Sequence, residues 1–255
     1  MLSIDLNCDM GEGYPNDDLI FPFISSVNIA CGYHAGDKST MQRTVEQALK
    51  HDVAIGAHPS YPDKENFGRI DILHKKISIT ELMKVVQKQI FLLQEICKSS
   101  GATLHHVKPH GALYNRAARD EEAAQAICSA MQQVNHKLLL YGSSGSIMEK
   151  AARNHNIQFV HEVFADRTYQ ADGSLTPRSA ANALISDTDA ALQQVFRMIQ
   201  KGEVKTLTGD LIRVKAETIC IHGDGPNAVE FAKGIHAFLQ DNNITLKTHA
   251  KNEQR

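Results

Sequence analysis

The run Ile4-Asp5-Leu6-Asn7-Cys8-Asp9 alternates apolar and polar residues without a break. Successive side chains of a β-strand point to opposite faces. Ile4, Leu6 and Cys8 therefore share one face, and Asp5, Asn7 and Asp9 the other. The same parity returns further along. Val27, Ile29 and Cys31 oppose Asn28, Ala30 and Gly32, and Val53, Ile55 and Ala57 oppose Ala54, Gly56 and His58. In a fourth run His106, Lys108 and His110 fall on one face. Branched residues pack well beneath helices, which leaves the small or polar face inside. An interior lined this way predicts a cavity rather than a filled core.

Seven β-like runs are visible, at 2–8, 27–31, 53–58, 104–109, 137–142, 157–163 and 218–222. Between them lie amphipathic segments. Met41, Val45, Ala48 and Leu49 repeat at helical spacing, as do Leu82, Val86, Ile90, Leu93 and Cys97 after a Ser78–Glu81 capping box. Asp120 and Asp187 precede two further helical patterns, and Pro226 suits the first turn of a last one. Strand–helix alternation implies parallel strands with right-handed crossovers. An open doubly wound sheet and a closed barrel both satisfy it, and the chain's 255 residues are typical of a β/α barrel. No composition break divides the chain, so residues 1–246 are expected to form one domain, followed by a polar tail, 247–255, that frays.

Hydrophobic residues make up 42% and charged residues 22%, which excludes a disordered chain. The net charge of -2 offers no global field for nucleic acid or an anionic membrane. No apolar run reaches the length of a membrane span, and the first residues lack a signal-peptide pattern. Five cysteines are scattered with no CxxC, which reads as a reduced, cytoplasmic protein.

Functional residues of parallel α/β folds gather at the carboxyl ends of strands. Six ends here carry polar or ionisable groups: Asp9 and Glu12; His34 and Asp37; His58; Lys108, His110 and Tyr114; Glu162, Asp166 and Arg167; His222 and Asp224. Asp37 and Asp224 precede helical patterns and read as N-caps. His51, His74, His136, His155, His236 and His249 read as surface residues. Cys8 and Cys31 read as core, while Cys220 shares the parity of His222. Asp9, His34 and His58 end successive strands and form a possible Asp/His/His metal set with an open position. The segment 32–39 has the glycines of a P-loop but not its spacing, because Asp37 separates Gly36 from Lys38. The polar stretch 164–185, with Arg167 and Arg178, has the length of a binding loop. Either arginine could hold a substrate carboxylate.

At these motifs the chain resembles the LamB/YcsF family. The resemblance is carried by Asp5-Leu-Asn7-Cys-Asp9-Met-Gly-Glu12-Gly, by Asn28-Ile-Ala-Cys-Gly-Tyr-His34-Ala-Gly-Asp37 and by Gly56-Ala-His58-Pro59-Ser60-Tyr61-Pro62-Asp63. Further matches are Phe67-Gly68-Arg69, Val107-Lys108-Pro109-His110-Gly111-Ala-Leu-Tyr114-Asn115, Glu162-Val-Phe-Ala-Asp166-Arg167-Thr-Tyr169, Asp172-Gly-Ser-Leu-Thr-Pro177-Arg178 and Ile221-His222-Gly223-Asp224. It implies a seven-stranded, distorted TIM-like β/α barrel of the glycoside hydrolase and polysaccharide deacetylase type. It also implies the A component of an ATP-dependent 5-oxoprolinase, which opens 5-oxo-L-proline to L-glutamate together with subunits B and C. ATP with Mg2+ is then a co-substrate that a partner chain could handle. Homo-oligomerisation and an intrinsic divalent metal stay open.

The implied chemistry assigns roles as expectations. Lys108 stabilises the lactam oxygen; Asp9, His34 or His58 is the base for water; His110 or Glu162 is the acid for the departing nitrogen. Asn7, Glu12, Asn28, Tyr114, Asp166, Arg167, Arg178 and His222 are expected around the substrate. Two other classes fit the same residues: a metal-dependent deacetylase or carbohydrate hydrolase, and a noncatalytic substrate-binding component.

Overall fold

The computed structural model describes residues 2–223 and 228–250. Its elements run β1 (Ser3–Met10), α1 (Asp17–Ile20), β2 (Ser26–Ala30), α2 (Lys38–Lys50), β3 (Ala54–His58), α3 (Ile79–Ser99) and β4 (Leu104–Val107). There follow α4 (Gly111–Ala117), α5 (Glu121–Asn135), β5 (Leu139–Ser143), α6 (Ile147–Asn154), β6 (Phe159–Phe164) and α7 (Thr188–Lys201). The last are β7 (Glu203–Lys205), β8 (Leu211–Arg213), β9 (Thr218–His222), α8 (Ala228–Asp241) and β10 (Thr245–Leu246).

Seven parallel strands close on themselves in the order β1–β2–β3–β4–β5–β6–β9, and β9 returns to β1 with Asp5 opposite Thr218 and Asp9 opposite His222. That last pairing excludes the open sheet. All seven runs read from the sequence are barrel strands. The antiparallel β7–β8 hairpin was not among them, because strands of three residues carry too little alternation to register.

The outward parity supplies the main core. Ile4, Leu6 and Cys8 of β1, Val27 and Ile29 of β2 and Ile55 and Ala57 of β3 pack in one cluster with Met41, Val45, Val86, Ile90 and Leu93 of the helices. The helix starts behave as their sequences dictate. Asp37, Asp120 and Asp187 accept from the amides of Thr40, Ala123 and Ala190, and Ser78 and Glu81 form the reciprocal box. Asp224 and Pro226 lie outside the described residues.

The inward parity corrects the expected cavity. The lower barrel is filled by a polar plug. Asp5 accepts from Ser25, Ser26 and Thr218 hydroxyls at 2.5–2.7 Å. Asn7 donates to Thr218 Oγ1 at 2.7 Å, Asn28 donates to Asn7 Oδ1 at 2.7 Å, and His106 Nε2 meets Asn28 Oδ1 at 2.8 Å. Tyr141 stacks on His106 with centroids 4.0 Å apart. Gly56 makes room for this layer, because a Cβ there would overlap the His106 ring. Polar side chains can fill a barrel when each finds a partner, since an unpaired buried group costs about 1–3 kcal/mol.

Of the expected tail, residues 251–255 lie outside the described residues. Residues 247–250 lie along the amino-terminal rim, where Lys247 donates its amide to the Ile4 carbonyl and Thr248 meets Ser26. His105 Nε2 donates to the His249 carbonyl, and His249 Nε2 to that of Glu217. The rim's open backbone groups hold this polar segment in place.

Candidate active site

Above the plug, the carboxyl ends of the strands carry a tight charged layer. Lys108, 2% exposed, extends from β4 into the barrel axis. Its Nζ donates to Asp9 Oδ1 at 2.9 Å, to Asn7 Oδ1 at 3.2 Å and to Cys220 Sγ at 3.0 Å, and it forms an ion pair with Glu162 Oε1 at 2.9 Å. Burial opposes a charge there, but Asp9 and Glu162 outweigh it and hold the ammonium well above its usual range. Asp9 is buried too, yet His58 and Lys108 keep its carboxyl well below the usual carboxylate range. Burial holds the Cys220 thiol protonated despite the nearby lysine, so it is a hydrogen-bond acceptor for Lys108 and not a ready nucleophile.

A second layer stands beside the first. Asp17 Oδ2 accepts the Gly11 amide at 2.8 Å and fixes the loop that presents Glu12. Glu12 Oε1 lies 3.0 Å from His34 Nε2, 3.3 Å from His110 Nδ1 and 3.8 Å from His58 Nε2. The His34 and His110 rings stack at 3.8 Å, nearly parallel, and Phe67 packs edge-on against both. Gly68, at φ +63°, lets this loop close over the rings: a side chain there would press on His34, His110 and Ser60. Burial pushes the His34 imidazole down, and burial with the neighbouring histidines pushes His110 well down. His58 moves the other way, because Asp9 and Glu12 outweigh its burial.

On the far side, His222 Nδ1 is held by Asp166 at 2.7 Å. Burial opposes ionisation of Asp166, but His222 and the nearby Arg178 keep it below the usual carboxylate range. His222, Asp9 and Cys220 have ligand-type atoms within 4.8 Å of one another.

The structure therefore brings together Asp9, Glu12, His34, His58, Lys108, His110, Glu162 and His222, while several expected contacts move. Asn7 and Asn28 are fully buried and spend their amides within the protein, Asn7 donating to Glu162 Oε1 and Asn28 to Asp9 Oδ1. Arg167 turns into its own loop, donating Nε to the Ala183 carbonyl and a terminal nitrogen to that of Thr176, and so clasps residues 167–183. Arg178 is half-buried near Asp166. Glu162 Oε2 and the Tyr114 hydroxyl are buried without a well-formed hydrogen bond, and burial together with Glu162 pushes that hydroxyl well up. The possible Asp9/His34/His58 metal set regroups: four ligand-type atoms that converge belong to Glu12, His34, His58 and His110. Asp9 stands beside this set, with Oδ1 bound by Lys108 and Oδ2 3.4 Å from His58 Nε2. Cys220 beside Lys108 and Phe67 against the histidines were not read as site residues. The parity of Thr218, Cys220 and His222 signalled the first, and the Phe67-Gly68-Arg69 motif marked the second without giving it a role.

Comparison with known proteins bears on the fold and the family. The A component of 5-oxoprolinase from Bacillus cytotoxicus is 49% identical over 249 residues, 96% of this chain and 98% of the relative. The crystal structure of a lactam utilization protein from Thermus thermophilus superposes with a TM-score of 0.89 at 38% identity, covering 97% of this chain and 100% of that one. A family 4 carbohydrate esterase from Streptomyces lividans, at 12% identity and a TM-score of 0.50, covers 98% of this chain and 94% of its own and shares the fold alone. The LamB/YcsF family model matches residues 4–254. With the strand-end motifs, the closed barrel and this full-length match in agreement, the chain belongs to the LamB/YcsF family.

Proposed function

We propose that this chain opens the lactam ring of 5-oxo-L-proline to give L-glutamate, acting as the A component of an ATP-driven 5-oxoprolinase with subunits B and C. The observation that carries the reading is the buried Lys108 ammonium set between Asp9 and Glu162 at a mouth shared with the His222–Asp166 pair. It occurs in a chain 49% identical, nearly end to end, to the A component of a 5-oxoprolinase.

A five-membered lactam is a stable amide, and closure of glutamate to it is favourable in water, so opening needs an input of free energy. Among the described residues the 32–39 segment is no phosphate cradle, because Asp37 caps α2 with its own carboxylate. We therefore assign ATP and its Mg2+ to the partner chains. No helix among the described residues is long and apolar enough to cross a membrane. All five cysteines are buried and unpaired, and we place the complex in the cytoplasm.

This chain's own groups act on the lactam. Lys108 supplies positive potential for the lactam oxygen. His222 is oriented through Nδ1 by Asp166, which leaves Nε2 to take a proton from water and return it to the departing nitrogen. Arg178, rather than the clasping Arg167, anchors the substrate carboxylate. Reconstitution tests the reading directly. Glutamate and ADP formation from 5-oxoproline should require this chain together with both partners. Full coupled turnover with this chain omitted would contradict it.

A further inference from the structure

We infer that His58 Nε2, His110 Nδ1 and Glu12 Oε1 form a binding site for a divalent transition-metal ion of the zinc class, with His34 positioning two of the three ligands. The inference stands on the ring geometry and is independent of which substrate the barrel takes.

The tautomers are fixed from outside the cluster. His58 Nδ1 lies 2.7 Å from the Lys108 carbonyl oxygen. A carbonyl only accepts, so Nδ1 carries the hydrogen and the neutral ring leaves a bare lone pair on Nε2. His110 Nε2 lies 2.9 Å from the Phe67 carbonyl oxygen, so its bare lone pair is on Nδ1. These two lone pairs face each other at 2.9 Å. Glu12 Oε1, a third acceptor, sits 3.3 Å from one and 3.8 Å from the other. Three acceptors aimed at one point repel unless an electrophile lies among them. It is either a shared proton or a metal ion. Two imidazole nitrogens and a carboxylate oxygen are a common donor set for zinc with an open position. Backbone carbonyls behind both imidazoles are the outer partners that metal-bound histidines use.

His34 belongs to the support and not to the ligands. Its ring lies 3.8 Å from that of His110 at an interplanar angle of 4°. A metal is bound in the plane of an imidazole, so an ion in the His110 plane is out of the His34 plane. His34 Nε2 instead donates to Glu12 Oε1 at 3.0 Å, holding the carboxylate in place, while its ring buttresses His110. Asp9 gives its Oδ1 to Lys108 and Asn28, and its Oδ2, although 3.4 Å from His58 Nε2, is not among the four ligand-type atoms that converge. When bound, the ion would supply Lewis acidity beside Asp9 at the mouth.

The experiment uses the full chain, purified without a polyhistidine tag or chelator. Elemental analysis should find about one equivalent of a zinc-class metal. After chelation, Co2+ titration should give the visible absorption of a low-coordinate site. His58→Ala and His110→Ala should each lose more than roughly 100-fold in Co2+ affinity, and His34→Ala roughly 10- to 100-fold, the range for outer-shell partners. Circular dichroism checks that each variant folds, and His110→Gln serves if His110→Ala does not. A wild-type chain that stays substoichiometric with excess Zn2+ and Co2+ would overturn the site in favour of the shared proton. So would His58 and His110 variants that bind cobalt as tightly as wild type. Failure of 5-oxoproline turnover with metal bound would instead count against the substrate reading alone.

Discussion

The two halves of the barrel interior are built on opposite terms. In the lower half, Asp5, Asn7, Ser26, Asn28, His106 and Thr218 are fully buried, and each has hydrogen-bonding partners among its neighbours, although the Tyr141 hydroxyl beside them lacks a well-formed one. At the mouth, polar groups are equally buried but incompletely paired. His34 Nδ1 and Glu162 Oε2 lack a well-formed hydrogen bond, and four ligand-type atoms of Glu12, His34, His58 and His110 converge. A folded chain retains such unmet capacity where it has work for it. The plug reads as a stability element that fixes register, and the mouth as chemistry held ready above it. Lys108 joins the two, since it touches Asn7 below and Asp9 and Glu162 beside it.

The largest effect is expected at that junction. Lys108→Met removes the cation between two buried carboxylates and should cost about 3–5 kcal/mol of stability, measured by urea denaturation. A loss below about 1 kcal/mol would show that the carboxylates are not held by this lysine. At the mouth the balance should reverse. Asp166→Asn leaves His222 wrongly oriented, and turnover of the assembled complex should fall roughly 100-fold with little change in melting temperature. A fall in melting temperature with turnover unchanged would move the pair to the structural half.

Asp17 sharpens the comparison from the rim. Burial, against the Gly11 hydrogen bond, pushes its carboxyl up to about 6. The unfolded chain releases this proton near pH 4 and the folded chain near pH 6, so rising pH destabilises the fold across that window. The full penalty is present above it. Two pKa units correspond to about 3 kcal/mol as an upper bound. Asp17→Asn should therefore gain stability relative to wild type as pH rises from 4 to 7, read from paired denaturation curves. A constant difference between the curves would rule out Asp17 as the titrating group. The smallest effect is in the plug. Gly56→Ala forces a methyl against His106 and should cost about 2 kcal/mol, with the residual turnover at low temperature unchanged. Combined with His106→Ala, the loss should be less than additive.

Much of this division was legible in the sequence. The alternation in residues 4–9 separated Asp5, Asn7 and Asp9 from the outer core, and Asp37, Asp120 and Asp187 marked the helix starts. Parity assigns a side to each residue but not a height along the barrel axis. Asn7, Asn28 and Asp9 share that parity, yet the first two lie in the plug and the third at the mouth. Height depends on the stagger with which seven strands close, a tertiary property. For the same reason Glu12, three residues beyond Asp9 on its loop, joins the histidines in the place expected of Asp9. Arg167 was read for its charge, whereas its direction is set by the turn of the loop it clasps.

The measurement that bears most directly on the central claim is coupled turnover by the complex assembled with Lys108→Met, assayed well below the variant's melting temperature. Glutamate release from 5-oxoproline should fall below about one-thousandth of the wild-type rate while the variant still assembles with both partners. Glutamate release near the wild-type rate would show that ring opening does not take place at this barrel mouth.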